Sequence, residues 1–238
     1  MTVLVVTGTG TEVGKTVVTA ALAALARHRH HAVAAVKPAQ TGVGPGELGD
    51  VDLVASLAGI DDVHELARYP DPLAPAAAAR RSGLAPVDLA GLATRIATLA
   101  ADRDLVLVEG AGGLLVRYDA NGATLADLAR TLAAPVLVVT SAGLGALNTV
   151  ALTLEAMAQR GLDLAGVVIG SWPAEPDLAC RSNLADLETL AGRPLSGALP
   201  AGAGLLDRAT FLATARHSLE PALGGTFHAR EFVDCQGR

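Results

Sequence analysis

Nine consecutive residues near the start of the chain, Gly8-Thr9-Gly10-Thr11-Glu12-Val13-Gly14-Lys15-Thr16, have the types needed to cradle phosphate. Glycines and small side chains let successive backbone N–H groups turn toward one anion, and a helix opening at Lys15 adds its partial positive charge. In such a loop Lys15 reaches the β- and γ-phosphates and Thr16 offers a hydroxyl to Mg2+. The strict pattern G-x-x-x-x-G-K-[ST] asks for glycine at position 9, where Thr9 stands between Gly8 and Gly10. A second cation is conspicuous: of the 18 basic residues, only Lys15 and Lys37 are lysines. In an arginine-rich chain, a retained lysine marks a position where a compact point charge serves better than a guanidinium, as at a phosphate.

These residues need a scaffold that brings them together. Apolar, β-rich runs at 2–7, 32–36, 105–108, 136–140, 166–170 and about 195–199 read as strands. Helical patterns at 15–27, 52–57, 87–101, 124–132, 147–160 and 178–191 alternate with them. Alternation of this kind predicts an α/β fold: a three-layer, doubly wound, mainly parallel sheet with right-handed crossovers, similar to P-loop NTPases. Ligands of such sheets bind beyond the carboxyl ends of the strands, so the residues just after each apolar run are the candidates. They are Lys37-Pro38-Ala39-Gln40-Thr41-Gly42, Glu109-Gly110-Ala111-Gly112-Gly113, the stretch from Ser141 to Thr149, Gly170-Ser171-Trp172-Pro173 and Pro200-Ala201-Gly202. Residues 42–49 and 68–86, rich in Gly, Pro and Ala, read as loops over those ends.

Composition limits the alternatives. The 238 residues predict one domain over 1–224, followed by a polar, irregular tail over 225–238 that is expected to be disordered. The chain is 51% hydrophobic with no apolar run long enough to span a bilayer, which fits a sheet covered on both faces. A net charge of −6 shows no footprint for nucleic acid and no polybasic membrane patch. Cys180 and Cys235 form neither a disulfide framework nor a metal spacing, and the start of the chain lacks the basic and apolar regions of a signal peptide. The expected location is the cytoplasm.

Taken together, Gly8 to Thr16, Lys37-Pro38 with Thr41-Gly42, and Glu109-Gly110-Ala111-Gly112-Gly113 resemble the dethiobiotin synthetase family, in the family's order and over about residues 1–205. The resemblance implies a homodimer that uses ATP and Mg2+ to join CO2 to 7,8-diaminopelargonate. Through a carbamate and a carbamic-phosphoric anhydride it would close a ureido ring and release dethiobiotin, ADP and phosphate. On matching positions, Lys37 and Lys15 would be the catalytic cations, and Thr16, Asp50 and Glu109 the Mg2+ ligands. Asp52, two residues on, competes with Asp50 for that role; Asp50 is preferred because it ends the loop, whereas Asp52 looks like the start of a helix. Nucleotide binding would fall to Glu12, Val13, Gly14, Lys15, Thr16, Val17, Asp50, Glu109, Gly110, Ala111, Gly112, Gly170, Ser171, Pro200, Ala201 and Gly202. The amides of residues 110–113 would hold carbamate and phosphate oxygens. Thr41, with Gly145, Leu147 and Asn148 contributed by the partner subunit, would bind the diamine, the latter group at a helix N-terminus suited to its carboxylate. An ordinary helix cap with no ligand is the other reading of that turn.

Two departures matter. The family often carries an Asn-Arg pair that reads adenine, where this chain has Gly170-Ser171-Trp172-Pro173, so other nucleoside triphosphates remain open beside ATP. Gly10 stands where an aspartate is common. The alternative function is a ParA/MinD-type switch ATPase, but those proteins place a second lysine at the position of Gly10, and a basic amphipathic helix for membranes does not follow here. An amidotransferase-linked synthetase would need a further glutaminase domain. His28, His30 and His31 read as a solvated helix end, and Trp172 as a packing residue.

Overall fold

The computed structural model describes residues 3–236. Thr2, expected to open the first strand, and Gly237 and Arg238 at the end of the expected tail lie outside the described residues. In chain order the strands are β1 (Val3–Gly8), β2 (Val33–Lys37), β3 (Gln40–Thr41), β4 (Val63–Glu65), β5 (Arg68–Tyr69), β6 (Leu105–Gly113), β7 (Val136–Thr140), β8 (Leu164–Trp172) and β9 (Gly197–Pro200). The helices are α1 (Lys15–His28), α2 (Asp50–Ala58), α3 (Pro75–Ser82), α4 (Leu89–Ala101), α5 (Leu125–Thr131), α6 (Ala146–Gln159), α7 (Leu178–Ala191), α8 (Arg208–Ser218) and α9 (Ala229–Gln236).

Seven strands form one sheet, ordered β4-β2-β6-β1-β7-β8-β9, with every pairing parallel; β3 and β5 make a separate parallel pair. Side chains alternate across the sheet, so its two faces bury separate cores. Leu4, Val6, Leu107 and Val139 pack against α1, α2 and α8, while Val5, Val36, Val108 and Val138 pack against the layer containing α4 to α7. The expected three-layer architecture is thus present. Alanine explains how α1 fits so tightly: ten of its fourteen residues are buried, five of them alanines, so its backbone approaches both the sheet and α2.

Register brings the chemistry to one edge. Val6 lies beside Glu109 and Val36 beside Val108, so Lys37, Glu109 and the first residues of the phosphate loop emerge together at the carboxyl end of the sheet. The chain leaves β1 toward β2 on one side and β6 toward β7 on the other, which makes the crevice between the neighbouring strands β1 and β6 a topological switch point.

Several expectations are corrected. The stretch 68–86 is not all loop: β5 pairs with β3, and Pro75 opens α3, where a missing N–H costs nothing. The helix expected to start at Asp52 starts at Asp50, and the last strand runs over Gly197–Pro200 rather than 195–199. The tail is not irregular up to Gln236. It carries α9, with Phe227 buried and Phe232 and Val233 packed on the core.

Candidate active site

The phosphate loop runs from the end of β1 to the start of α1. Gly14 caps α1 with φ 93°, a left-handed conformation that disfavours side chains. Space forbids one as well, since a Cβ there would meet the Gly170 carbonyl oxygen at 2.4 Å. Lys15 is 7% exposed and donates from Nζ to the Gly10 carbonyl at 2.8 Å, folding over its own loop. Burial holds its pKa below the ordinary lysine value, and the Lys37 charge adds to that depression, against opposing pulls from Glu109 and Asp50.

Lys37 lies at the centre. Its Nζ donates to Glu109 Oε1 at 2.7 Å and to the Gly110 carbonyl at 3.2 Å, and pairs with Asp50 Oδ2 at 2.5 Å. Both Lys37 and Glu109 are 3% exposed, so neither is a solvated strand-end charge. Burial alone would lower the Lys37 pKa, but the two carboxylates outweigh it and hold the ammonium well above its ordinary range. The hydroxyl of Thr16 donates to the same Glu109 Oε1 at 2.9 Å. Glu109 and Asp50 therefore converge on one cation, Thr16 joins them through Glu109, and together they line a cavity of about 730 Å3.

Asp52 faces elsewhere: its carboxylate accepts the Gly49 N–H at 2.7 Å, capping α2. A hydroxyl with two carboxylates, completed by phosphate oxygens and water, is a donor set that suits Mg2+. Among the described residues no group of three or more His, Cys, Asp or Glu side chains is placed to hold a metal by itself. The donors present fit a metal shared with a nucleotide.

Other expected residues divide. Glu12, Gly14, Val17, Thr41, Ala111 and Gly112 join the cavity wall, whereas Val13 is buried beneath it. Gly170, Ser171, Pro200, Ala201 and Gly202 are not part of that wall. Gly170 flanks the phosphate loop instead, packing against Val13 and Gly14, while the Ala201 N–H donates to the Trp172 carbonyl at 2.7 Å, joining the turn after β9 to the end of β8. Gly145, Leu147 and Asn148 also lie away from the cavity, at the start of α6, with Gly145 and Asn148 exposed. No side chain caps that helix among these residues.

The Ala111 amide is not free for an oxyanion as expected of residues 110–113. It donates to Tyr118 Oη at 2.8 Å within the core, where burial raises the phenol pKa against the opposing pull of that hydrogen bond. Tyr118 was not readable as a site residue, because its approach depends on the turn in which its N–H binds the Ala123 carbonyl. Arg68 also escapes sequence reasoning. It pairs with Glu65 through two nitrogens and donates to the carbonyls of Gly44 at 2.9 Å and Glu47 at 2.6 Å, fixing the loop that ends at Asp50. Gln40 completes this support by accepting the Asp50 N–H at 2.9 Å. Its place beside Lys37 at a strand end was the available signal.

A family model described as "AAA domain" matches residues 2–208. A protein from Frankia casuarinae named "ATP-dependent dethiobiotin synthetase BioD" is 81% identical over 232 residues, covering 98% of both chains. One of the same name from Streptomyces coelicolor is 61% identical over 237 residues, covering 100% of both. The chain belongs to the ATP-dependent dethiobiotin synthetase family. Membership makes it an enzyme, an ATP-dependent ligase of biotin biosynthesis, and the switch ATPase is not favoured. A ParA family ATPase from Chlorobium tepidum has a TM-score of 0.56 at 15% identity, over 90% of this chain and 96% of that one. MinD in the Aquifex aeolicus MinC:MinD complex gives 0.55 at 14%, over 90% and 86%. At such identities these likenesses speak for the fold alone. No helix among the described residues is long and apolar enough to cross a membrane.

Proposed function

We propose that this dethiobiotin synthetase family member converts 7,8-diaminopelargonate, CO2 and ATP to dethiobiotin, ADP and phosphate as a single folded domain paired in a homodimer. The observation that carries the reading is the buried Lys37, held between Glu109 and Asp50 and opposite the phosphate loop. One substrate amine adds to CO2 and loses a proton, giving a carbamate. A carbamate oxygen then attacks the γ-phosphorus, ADP departs, and a carbamic-phosphoric anhydride remains. The second amine attacks its carbonyl carbon, a proton leaves, phosphate is expelled and the ureido ring closes.

Negative charge accumulates at the carbamate and at the transferring phosphoryl group, and fixed cations lower the cost of both. Lys37, kept protonated by its two carboxylates, faces the carbamate and γ-phosphate, while Lys15 turns from the Gly10 carbonyl to the phosphates. Mg2+ held by Thr16, Asp50 and Glu109 would neutralise phosphate charge when bound. Gly112 and the loop amides of residues 12–16 supply oxyanion donors, and Thr41 contacts the diamine. Gly170, Ser171, Pro200, Ala201 and Gly202 border the base, with no base-specific side chain to exclude other nucleoside triphosphates. Gly145, Leu147 and Asn148 receive the carboxylate tail of diamine bound to the partner subunit. Exposed Leu144 and Leu152, 91% and 58% accessible at the start and middle of this helical segment, support a covered face there.

Phosphate release from Mg·ATP and bicarbonate, with and without the diamine and repeated with CTP and GTP, tests the reading. Release that depends on the diamine and yields dethiobiotin is expected. Release indifferent to the diamine would refute it.

A further inference from the structure

The base-bordering residues at the ends of β8 and β9 do not stand alone. Trp172, the only tryptophan of the chain, follows Ser171 directly and is 7% exposed. Its carbonyl accepts the Ala201 N–H at 2.7 Å, tying the end of β8 to the turn after β9. The indole is gripped from the far side by α9. Phe232 meets it edge-on, with centroids 5.1 Å apart and planes at 71°, and Phe227 backs Phe232 at 5.3 Å. Nε1–H donates to Gln236 Oε1 at 3.3 Å. Two residues before Trp172, Gly170 touches the phosphate loop so closely that a Cβ would lie 2.0 Å from the Val13 carbonyl oxygen.

A chain of direct contacts therefore runs from α9 through Trp172 to both base-bordering segments and the phosphate loop. With the small hydroxyl of Ser171 the one polar side chain among residues 170–171 and 200–202, affinity at this wall must come mainly from the fixed position of backbone and small residues, which makes preorganisation the determining quantity.

We propose that α9 is a clasp that positions the nucleotide-base wall through Trp172, so that Phe232 and Trp172 are positioning residues for nucleotide affinity. The inference rests on the proposed base site at residues 170–171 and 200–202. A helix that merely added stability would affect every substrate alike. A clasp acts on the nucleotide selectively.

The test uses the full chain. Phe232→Ala is expected to raise the KM for ATP and the Kd for ADP by about three- to tenfold, with KM for the diamine and kcat within about twofold. Phe232→Leu, which keeps apolar volume, restores most of that loss. In the parent enzyme ADP is expected to change Trp172 fluorescence, and Gln236→Leu, a milder change should Phe232→Ala not fold, is expected to alter that signal and weaken ADP binding. Ala201→Leu serves as the control for the base site itself. If Ala201→Leu weakens ADP while folded Phe232→Ala and Gln236→Leu bind it normally, the clasp is refuted and the base site stands. If all three bind ADP normally, the base site falls and the clasp with it. Equal losses toward ATP and diamine would reduce α9 to a stabilising element and also overturn the proposal.

Discussion

Lys37 is buried between two carboxylates at the wall of an open cavity, so removing it has two separable effects. Lys37→Gln is expected to lower kcat by at least about 10²- to 10³-fold, the scale for losing one fixed stabiliser of developing charge. It also leaves Glu109 and Asp50 facing each other without compensation, at a cost of about 3–5 kcal/mol in unfolding free energy, measurable by urea denaturation. The pH dependence has a definite sign. Because the folded pKa of Lys37 lies above the ordinary value of 10.5, its stabilisation is complete below that value and fades as pH rises beyond it. Alkaline stability curves of the parent should fall over that range, and those of Lys37→Gln should lack this contribution. The two neighbouring aspartates separate equally well. Asp50→Ala is expected to abolish turnover, whereas Asp52→Ala loses a cap worth about 1 kcal/mol and keeps most activity. Comparable activity of the two variants would contradict the assignment of Asp50.

At the scale of elements, the contact between the phosphate loop and β8 admits no added carbon. Gly170→Ala would force a Cβ against the Val13 carbonyl, so the loop must move; nucleotide affinity is expected to collapse while the sheet still folds, as isothermal titration with ADP and circular dichroism would report. Thr7 offers the opposite case. Its hydroxyl is buried in β1 without a hydrogen-bond partner among the described residues, so Thr7→Val is expected to raise stability by about 1 kcal/mol in a thermal or urea melt. The strands carrying Lys37 and Glu109 were legible because both residues end continuous apolar runs and the residue type changes abruptly. Asp50 was legible only as one of two choices, since Gly49 hid the helix start that the capping carboxylate of Asp52 reveals. Other elements lacked a readable period. Alanines give α3 no apolar stripe to detect, three residues are too few to signal β4, and α8 buries only Phe211, Ala215 and Ser218 among polar neighbours. The tail misled because α9 is held by aromatic contacts with a distant strand end, which no local pattern records.

For the whole molecule, the parallel sheet fixes one active edge, and the remaining question is what covers the outer face of α6. Only Ala146, Val150 and Met157 of that helix are buried within the chain, while Leu152 is 58% exposed. A homodimer through this face is expected, with Leu152 and the Leu144 of the preceding turn, both exposed in the single chain, covered by the partner. Leu152→Glu should then shift the sedimentation coefficient to that of a monomer and raise the KM for the diamine, because residues 145–148 would no longer reach the partner's substrate. A dimer that survives the substitution unchanged would direct attention to another face.

The central claim is that Lys37 and the phosphate loop couple ATP cleavage to carboxylation of a diamine. The most direct measurement follows phosphate and dethiobiotin together from Mg·ATP, bicarbonate and 7,8-diaminopelargonate, in the parent and in Lys37→Gln. Equal amounts of the two products, absent without the diamine and nearly absent in Lys37→Gln, are the expected result. Phosphate formed at the same rate without the diamine, or unimpaired in Lys37→Gln, would contradict the account.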